Sequence, residues 1–424
     1  MTASDPNGSR RSFLTLLGAP AVAGLATTAL WSKRAAASPS EAAPVTRGLA
    51  HATDFLFEPG LIYLQTGSLG PTPRPIVQAT MRAWLTLESN PLTQGYKLAR
   101  PKLEAVRAKA AAFVGCKTDE IVLTTGTTHG MNWVADGLQL SAGDRVLTTD
   151  QEHPGGRSCW DYVARKRGVV IDTIAIPPGE NDAQAIVDRF AKAIEPTTKV
   201  LSFSHLLTST GLRMPVAEIC ALARARHCIS VVDGAQAVGG IDVDVKALGC
   251  HAYATSCHKW LLAPKGTGFL YLSEELGNAI DPISLQAGRA VYSDSSGVCN
   301  IPGVLGLGAA IDYVSAIGKQ NIERHNLALR NRLYAALASV PAVAIVSAAS
   351  GPLASPLLTF RLPDNVPSKT FQEKLLDTYK IAVKVVPSQW LNGTRISLHL
   401  FNSEEDVSAL VEALRKELPP MARS

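Results

Sequence analysis

The stretch Ile229–Leu272, ISVVDGAQAVGGIDVDVKALGCHAYATSCHKWLLAPKGTGFLYL, decides the fold. It opens with a β-branched apolar run, Ile229 to Val232, that stops at Asp233-Gly234. A run of this kind suits a strand buried on both faces of a parallel sheet, and the C-terminal ends of such strands are where open α/β sheets place ligands. A second apolar run, His251 to Ser256, ends in Ser256-Cys257-His258-Lys259, and a third follows from Gly266 to Leu272.

Two residues in this stretch call for chemistry. Asp233 closes an apolar strand, where an ionised carboxylate needs a cation or several donors. Lys259 lies between His258 and Trp260, directly before Leu261-Leu262-Ala263-Pro264. Apolar surroundings disfavour the charged form of a lysine, and a neutral amine attacks carbonyls. A lysine able to form a Schiff base and an acid able to hold a pyridine nitrogen protonated suit a pyridoxal 5'-phosphate site. Asp233-x-x-Gln236, then Ser256-x-His258-Lys259, then Gly266-x-Gly268 resembles the class V aminotransferases, pyridoxal-phosphate enzymes of fold type I. His258-Lys259-Trp260-Leu261 with Ala263-Pro264-Lys265-Gly266-Thr267 looks most like the isopenicillin N epimerase branch, and the resemblance runs from about Thr53 to Leu410.

Outward from that stretch, strand and helix signals alternate. Apolar runs fall at 121–124, 145–149, 169–174, 199–203, 229–232, 251–255 and 266–272, and stretches such as 182–194 and 215–226 have helical spacing. This pattern predicts an α/β fold with a mostly parallel sheet covered by helices on both faces. The resemblance implies that the seventh strand, at 266–272, is antiparallel. A helix is expected to begin near Pro73, another to span 101–114, and a third at 303–317 to continue to about Val340. Strands are then expected at 357–361, 381–386 and 395–400, followed by a helix at 403–417 with Ser403 and Asp406 as a capping pair. The resulting domain reading is a signal segment at 1–37, a linker and N-terminal segment at 38–72, a large cofactor domain at 73–315 and a small α+β domain at 316–424.

With 424 residues, 46% of them hydrophobic, the chain can bury a large core, and a net charge of +5 without a basic run offers nothing for nucleic acid. The seven cysteines are scattered, forming neither a disulfide framework nor a paired metal-ligand pattern. Ser9-Arg10-Arg11-Ser12-Phe13-Leu14, a weakly apolar run to Leu30 and Ala35-Ala36-Ala37 look like a twin-arginine signal peptide. The expectation is an exported, periplasmic or secreted protein that uses the twin-arginine machinery, a route that carries folded proteins with their cofactor in place.

Thr124-Thr125-Gly126-Thr127-Thr128 follows an apolar run and opens a helix, a good place for a phosphate. The resemblance assigns the cofactor phosphate to Gly126, Thr127 and Thr128, with Ser256 and His258 adding contacts. It makes His153 the side chain that stacks on the pyridine ring, Asp233 the partner of the pyridine nitrogen and Gln236 the neighbour of the phenolic oxygen. Lys259 is then both Schiff-base lysine and acid/base at the substrate Cα. Arg395, in Thr394-Arg395-Ile396-Ser397, is the family's bidentate ligand for the substrate α-carboxylate, and the Gly67-Ser68-Leu69-Gly70-Pro71 loop lies beside the substrate. Asn300-Ile301-Pro302 matches the segment that family homodimers contribute to the neighbouring site.

Two features bear on the reaction. Residues 384–394 read KVVPSQWLNGT, without the cysteine that desulfurases carry ahead of the arginine. Thr208 stands where desulfurases have Asn, whereas Gln236 and His153 look more like the desulfurase and general class V pattern, so the subfamily stays open. The reading is an amino-acid enzyme acting at Cα by aminotransferase or epimerase chemistry. The alternatives are C–S lyase or desulfurase-like activity and a catalytically silent binding protein that keeps the fold.

Overall fold

A computed structural model describes residues 46–277, 279–386 and 390–421. The segment 1–37, read as a twin-arginine signal, lies outside them. The apolar runs form a seven-stranded sheet: β1 (Ile121–Thr124), β2 (Arg145–Thr149), β3 (Val170–Ile174), β4 (Thr198–Ser204), β5 (Ile229–Asp233), β6 (Ala252–Ser256) and β7 (Gly268–Leu272). The order is β1-β7-β6-β5-β4-β2-β3. β7 runs antiparallel to β1 and β6, and the other pairs are parallel. The mostly parallel α/β sheet expected from the alternation of signals is present, and so is the fold-type-I architecture that the resemblance implied.

Helices α1 (Arg74–Ser89), α2 (Ala99–Val114), α3 (Thr127–Gly137), α4 (Pro154–Arg167), α5 (Ala183–Ala193) and α6 (Val216–Ala225) accompany this sheet. One apolar cluster joins α2, α5 and α6 to the sheet through Leu103, Phe190, Ile219, Phe203 and Phe269. A second, with Met131, Val134, Trp160 and Val163, joins α3 and α4 to Val146, Val200, Val231 and Leu270. The inner strands β5, β6 and β7 are therefore buried on both faces, which is why their sequences are continuous apolar runs rather than alternating ones.

The long helix expected from 303 to about 340 is two helices, α7 (Ile301–Ile317) and α8 (Lys319–Leu337), bent by 72° at Gly318. Gly318 has φ +93°, which ends α7, and its apolar and amphipathic neighbours concealed the break. Among the described residues no single helix is long and apolar enough to cross a membrane.

Beyond α8 lies a four-stranded antiparallel sheet of β8 (Ala344–Ile345), β9 (Leu357–Arg361), β10 (Lys384–Val386) and β11 (Gly393–Ser397), in the order β8-β9-β11-β10. It is backed by α9 (Ser368–Tyr379), which sequence reading missed, and α10 (Glu404–Met421). Ser403 and Asp406 do cap α10 reciprocally: Asp406 N donates to Ser403 Oγ at 3.4 Å and Ser403 N to Asp406 Oδ2 at 3.3 Å. The run 381–386, expected as one strand, divides. Ile381–Ala382 pairs in parallel with Ile62–Tyr63, and only Lys384–Val386 joins the sheet.

Residues 46–64 do not run free, although their composition reads as a linker and a short strand. Leu49 N donates to Leu400 O, Ser397 N donates to Leu64 O, and Phe55 and Phe57 pack on Phe401. The chain then reaches the lysine turn, where Gly70 N donates to His258 O at 2.9 Å. A Cβ on Gly70 would lie 1.9 Å from Lys259 O, so only glycine allows this approach. Gly70→Ala is expected to destabilise the protein by about 1–3 kcal/mol, the usual cost of overpacking a tight contact, as measured by urea unfolding.

Candidate active site

Asp233 and Lys259 come from neighbouring strand ends. β5 and β6 are parallel partners with Asp233 opposite Ala254, and the chain leaves β6 at Ser256 into the turn that carries Lys259. Lys259 is half-buried, on the wall of a cavity of about 520 Å³. That size suits a cofactor and a small substrate together. Burial brings its amine down to about pKa 8; Asp233 opposes this, while Arg395 and Lys384 reinforce it. Asp233 is 5% exposed and accepts from Ala235 N at 2.9 Å through Oδ1. Burial pushes its carboxyl above the usual range, against the pull of that N–H, Lys259 and His153. No described residue forms a salt bridge with Asp233 or donates to its Oδ2. A Cβ on Gly156 would come within 2.6 Å of that oxygen.

The start of α3 forms the second part. Thr127 N donates to Ser256 Oγ at 2.9 Å, and Ser256 Oγ donates to Thr127 Oγ1 at 3.0 Å, fixing the helix end to the end of β6. Gly126 is the N-cap; a Cβ there would lie 3.1 Å from Ser256 Oγ and 3.3 Å from the His258 ring. Thr128 lines the cavity and is exposed. The His258 ring is held by Thr267 O, 3.2 Å from Nδ1.

His153 caps α4: its Nδ1 accepts from Gly155 N at 3.0 Å. The neutral ring therefore carries its proton on Nε2. Burial, helped by the Lys259 charge, holds its pKa below the usual histidine value. Gln236 spans the cavity wall, its Oε1 accepting from Trp260 Nε1 at 2.9 Å and its Nε2 donating to Gly67 O at 2.8 Å.

Arg395 reaches the cavity from β11 and is 2% exposed. Its Nη1 donates to Thr208 O at 2.9 Å and Thr208 Oγ1 at 2.6 Å, and its Nη2 donates to Ser68 Oγ at 3.3 Å. Burial lowers its pKa to about 10, which leaves it charged at neutral pH. Nε is buried without a partner. Of the five guanidinium N–H donors, three are used; Nε–H is enclosed by the protein and one hydrogen on Nη2 remains. A Cβ on Gly67 would come within 2.9 Å of Nη2, so glycine leaves room beside that nitrogen.

All the residues expected in the site line this one cavity except Asp233, which lies behind it within electrostatic reach of Lys259 and His153. Sequence reading missed Lys384, Trp390 and His129, which also line it. Lys384 is the cross-strand partner of Arg395, a relation that depends on register. Glu152 was missed too. Burial raises its carboxyl to about 7, although it accepts from Ser204 Oγ at 2.6 Å and Thr149 Oγ1 at 2.7 Å.

The family model described as "Aminotransferase class-V" matches residues 62–410. The chain belongs to the class V aminotransferase family. Among its relatives, isopenicillin N epimerase of Amycolatopsis lactamdurans is 31% identical over 382 residues, covering 85% of this chain and 96% of that one. A probable cysteine desulfurase of Methanothermobacter thermautotrophicus is 31% identical over 386 residues, covering 84% and 94%. Among solved structures, the apo cysteine desulfurase of Thermococcus onnurineus NA1 superimposes with a TM-score of 0.73 at 27% identity, over 85% of this chain and 95% of that one. The complex of the cystine C–S lyase C-DES with cysteine persulfide gives 0.75 at 25%, over 84% and 97%.

Class V aminotransferases are pyridoxal-phosphate dependent, and this cavity fits that cofactor. Asp233 is a buried carboxylate lacking a cation, as a pyridinium nitrogen requires. The first turn of α3 offers N–H groups and threonine hydroxyls to a phosphate. Lys259 offers an amine whose neutral form is accessible near neutral pH. The neutral fraction of an amine grows about tenfold per pH unit below its pKa. Capture of pyridoxal phosphate by the apo-protein, followed by visible absorption, should therefore accelerate about tenfold per unit up to about pH 8 and level off above it. A pH-independent rate would contradict the amine environment described.

Proposed function

We propose that this class V enzyme acts at the Cα of an amino acid or amino-acid derivative, by epimerase or aminotransferase chemistry. The observation that carries the reading is the convergence of Lys259 and Arg395 on one cavity with Asp233 behind it. Arg395 binds the α-carboxylate with its charge and the remaining Nη2 hydrogen, so the substrate's Cα is presented in a set orientation. Thr208 and Ser68 hold the guanidinium plane. Pyridoxal phosphate, when bound, supplies an electron sink for the charge left at Cα. Lys259 Nζ, neutral at the pH that burial sets, takes the Cα proton and returns it. Asp233 lies behind the cavity within electrostatic reach of Lys259, and His153 presents a neutral ring to the cavity.

The epimerase-like branch is favoured by the isopenicillin N epimerase relatives and by the lack of cysteine in 384–394. The likeness to C-DES supports C–S lysis as the second reading. Incubation of holoenzyme with amino acids in D₂O separates these outcomes. Inversion at Cα marks an epimerase, keto-acid release a transaminase and sulfide release a lyase. Lys259→Ala should slow Cα exchange by about 10²–10⁴-fold, the usual contribution of a positioned acid/base. Exchange at the wild-type rate in that variant would sink the assignment.

We further infer that two copies pair through the face carrying α1 and the turn after it. Leu85 is 72% exposed and Leu92 73%, with Trp84 and Tyr96 also exposed beside an apolar cavity of about 420 Å³. An apolar patch of this kind is unusual on a free surface. Sedimentation velocity should report a dimer for the wild type and a monomer for Trp84→Arg; a wild-type monomer would contradict the pairing.

A further inference from the structure

We infer that the site takes a doubly anionic substrate, whose α-carboxylate lies on Arg395 and whose second acidic group lies on Lys384. This rests on the reading of Lys259 and Arg395 above and adds the substrate class. The register places Lys384 directly opposite Arg395 on β10 and β11. Opposed residues of antiparallel strands project from the same face, with Cβ atoms about 4.5–5.5 Å apart. Both side chains line the one cavity.

The two cations differ in how they are held. Arg395 spends three donor contacts on Thr208 and Ser68. The Lys384 amine has no hydrogen bond or ion pair with any described residue, and what acts on it is its own burial and the Arg395 charge. None of the described residues lining the cavity is Asp or Glu. Asp233 lies outside that lining, within electrostatic reach of Lys259 and His153. The α3 anion site is a separate set of donors, Thr127, Thr128 and Ser256, and uses neither cation.

Charge balance then selects the ligand. Two neighbouring like charges, one of them buried, repel, and no Asp or Glu among the described lining residues offsets them. A substrate with one carboxylate satisfies Arg395 and leaves Lys384 unpaired beside Val385, Val386 and Trp390. A substrate with a second acidic group satisfies both.

The test uses acids that lack an amine, so that binding does not depend on the chemistry of Lys259. Holoenzyme is titrated calorimetrically with succinate, glutarate and butyrate. One of the two diacids should bind about 10- to 100-fold more tightly than butyrate, the range for one added charge-assisted contact. Lys384→Gln should abolish that preference and leave butyrate unchanged, and Lys384→Arg should retain it. The preference should persist in Lys259→Ala, so a failure of the acid/base assignment leaves this result standing. Equal affinities for diacid and monoacid in the wild type, or an undiminished preference in Lys384→Gln, would overturn the inference. An equal loss for both ligands in Lys384→Gln would also overturn it, since that marks a general effect on the cavity.

Discussion

The site depends on a buried carboxylate that the protein leaves without a cation of its own. Asp233 ends an inner strand of the sheet, accepts one backbone N–H and faces Lys259 and His153. Burying such a group costs stability unless a positive partner arrives. The arrangement is thus stable only in part until a cationic ring nitrogen takes its place. The same burial that raises the Asp233 carboxyl lowers the Lys259 amine, so one low-dielectric pocket prepares both ends of the chemistry.

Three parts of the chain, distant in sequence, build the rest. The sheet supplies Asp233, Ser256 and Lys259; the small sheet supplies Arg395; the segment before α1 supplies Ser68 and Gly70. Gly70 fastens the lysine turn by its backbone, and Ser68 fastens the arginine by its hydroxyl. The substrate end of the cavity is therefore defined only when the N-terminal segment lies against both sheets.

Much of this was legible from residue order. The strands of the large sheet are apolar runs because both faces are covered, and the lysine and aspartate stand out because they interrupt such runs. The threonine-rich start of α3 was readable because helix N-termini bind anions whatever follows. What escaped reading depended on register or on local breaks. Lys384 looks like any lysine in a short apolar run until β10 is paired with β11. Gly318 stands between two stretches that each look helical, so the bend was invisible. Glu152 lies beside the histidine that drew attention, and only the partners Ser204 and Thr149 reveal its burial. The helix Ser368–Tyr379 begins after Pro367 without a side-chain cap and went unnoticed.

The guanidinium of Arg395 has one further consequence. With both Nη1 hydrogens spent on Thr208 and one Nη2 hydrogen on Ser68, the group is fixed in plane and Nε is enclosed. Its remaining Nη2 donor therefore points in one direction and reads placement as well as sign. A lysine at 395 would bring the same charge and none of this orientation. The angle at which a substrate enters, and hence which bond at its central carbon stands toward Lys259, is set by a threonine and a serine that take no part in the chemistry.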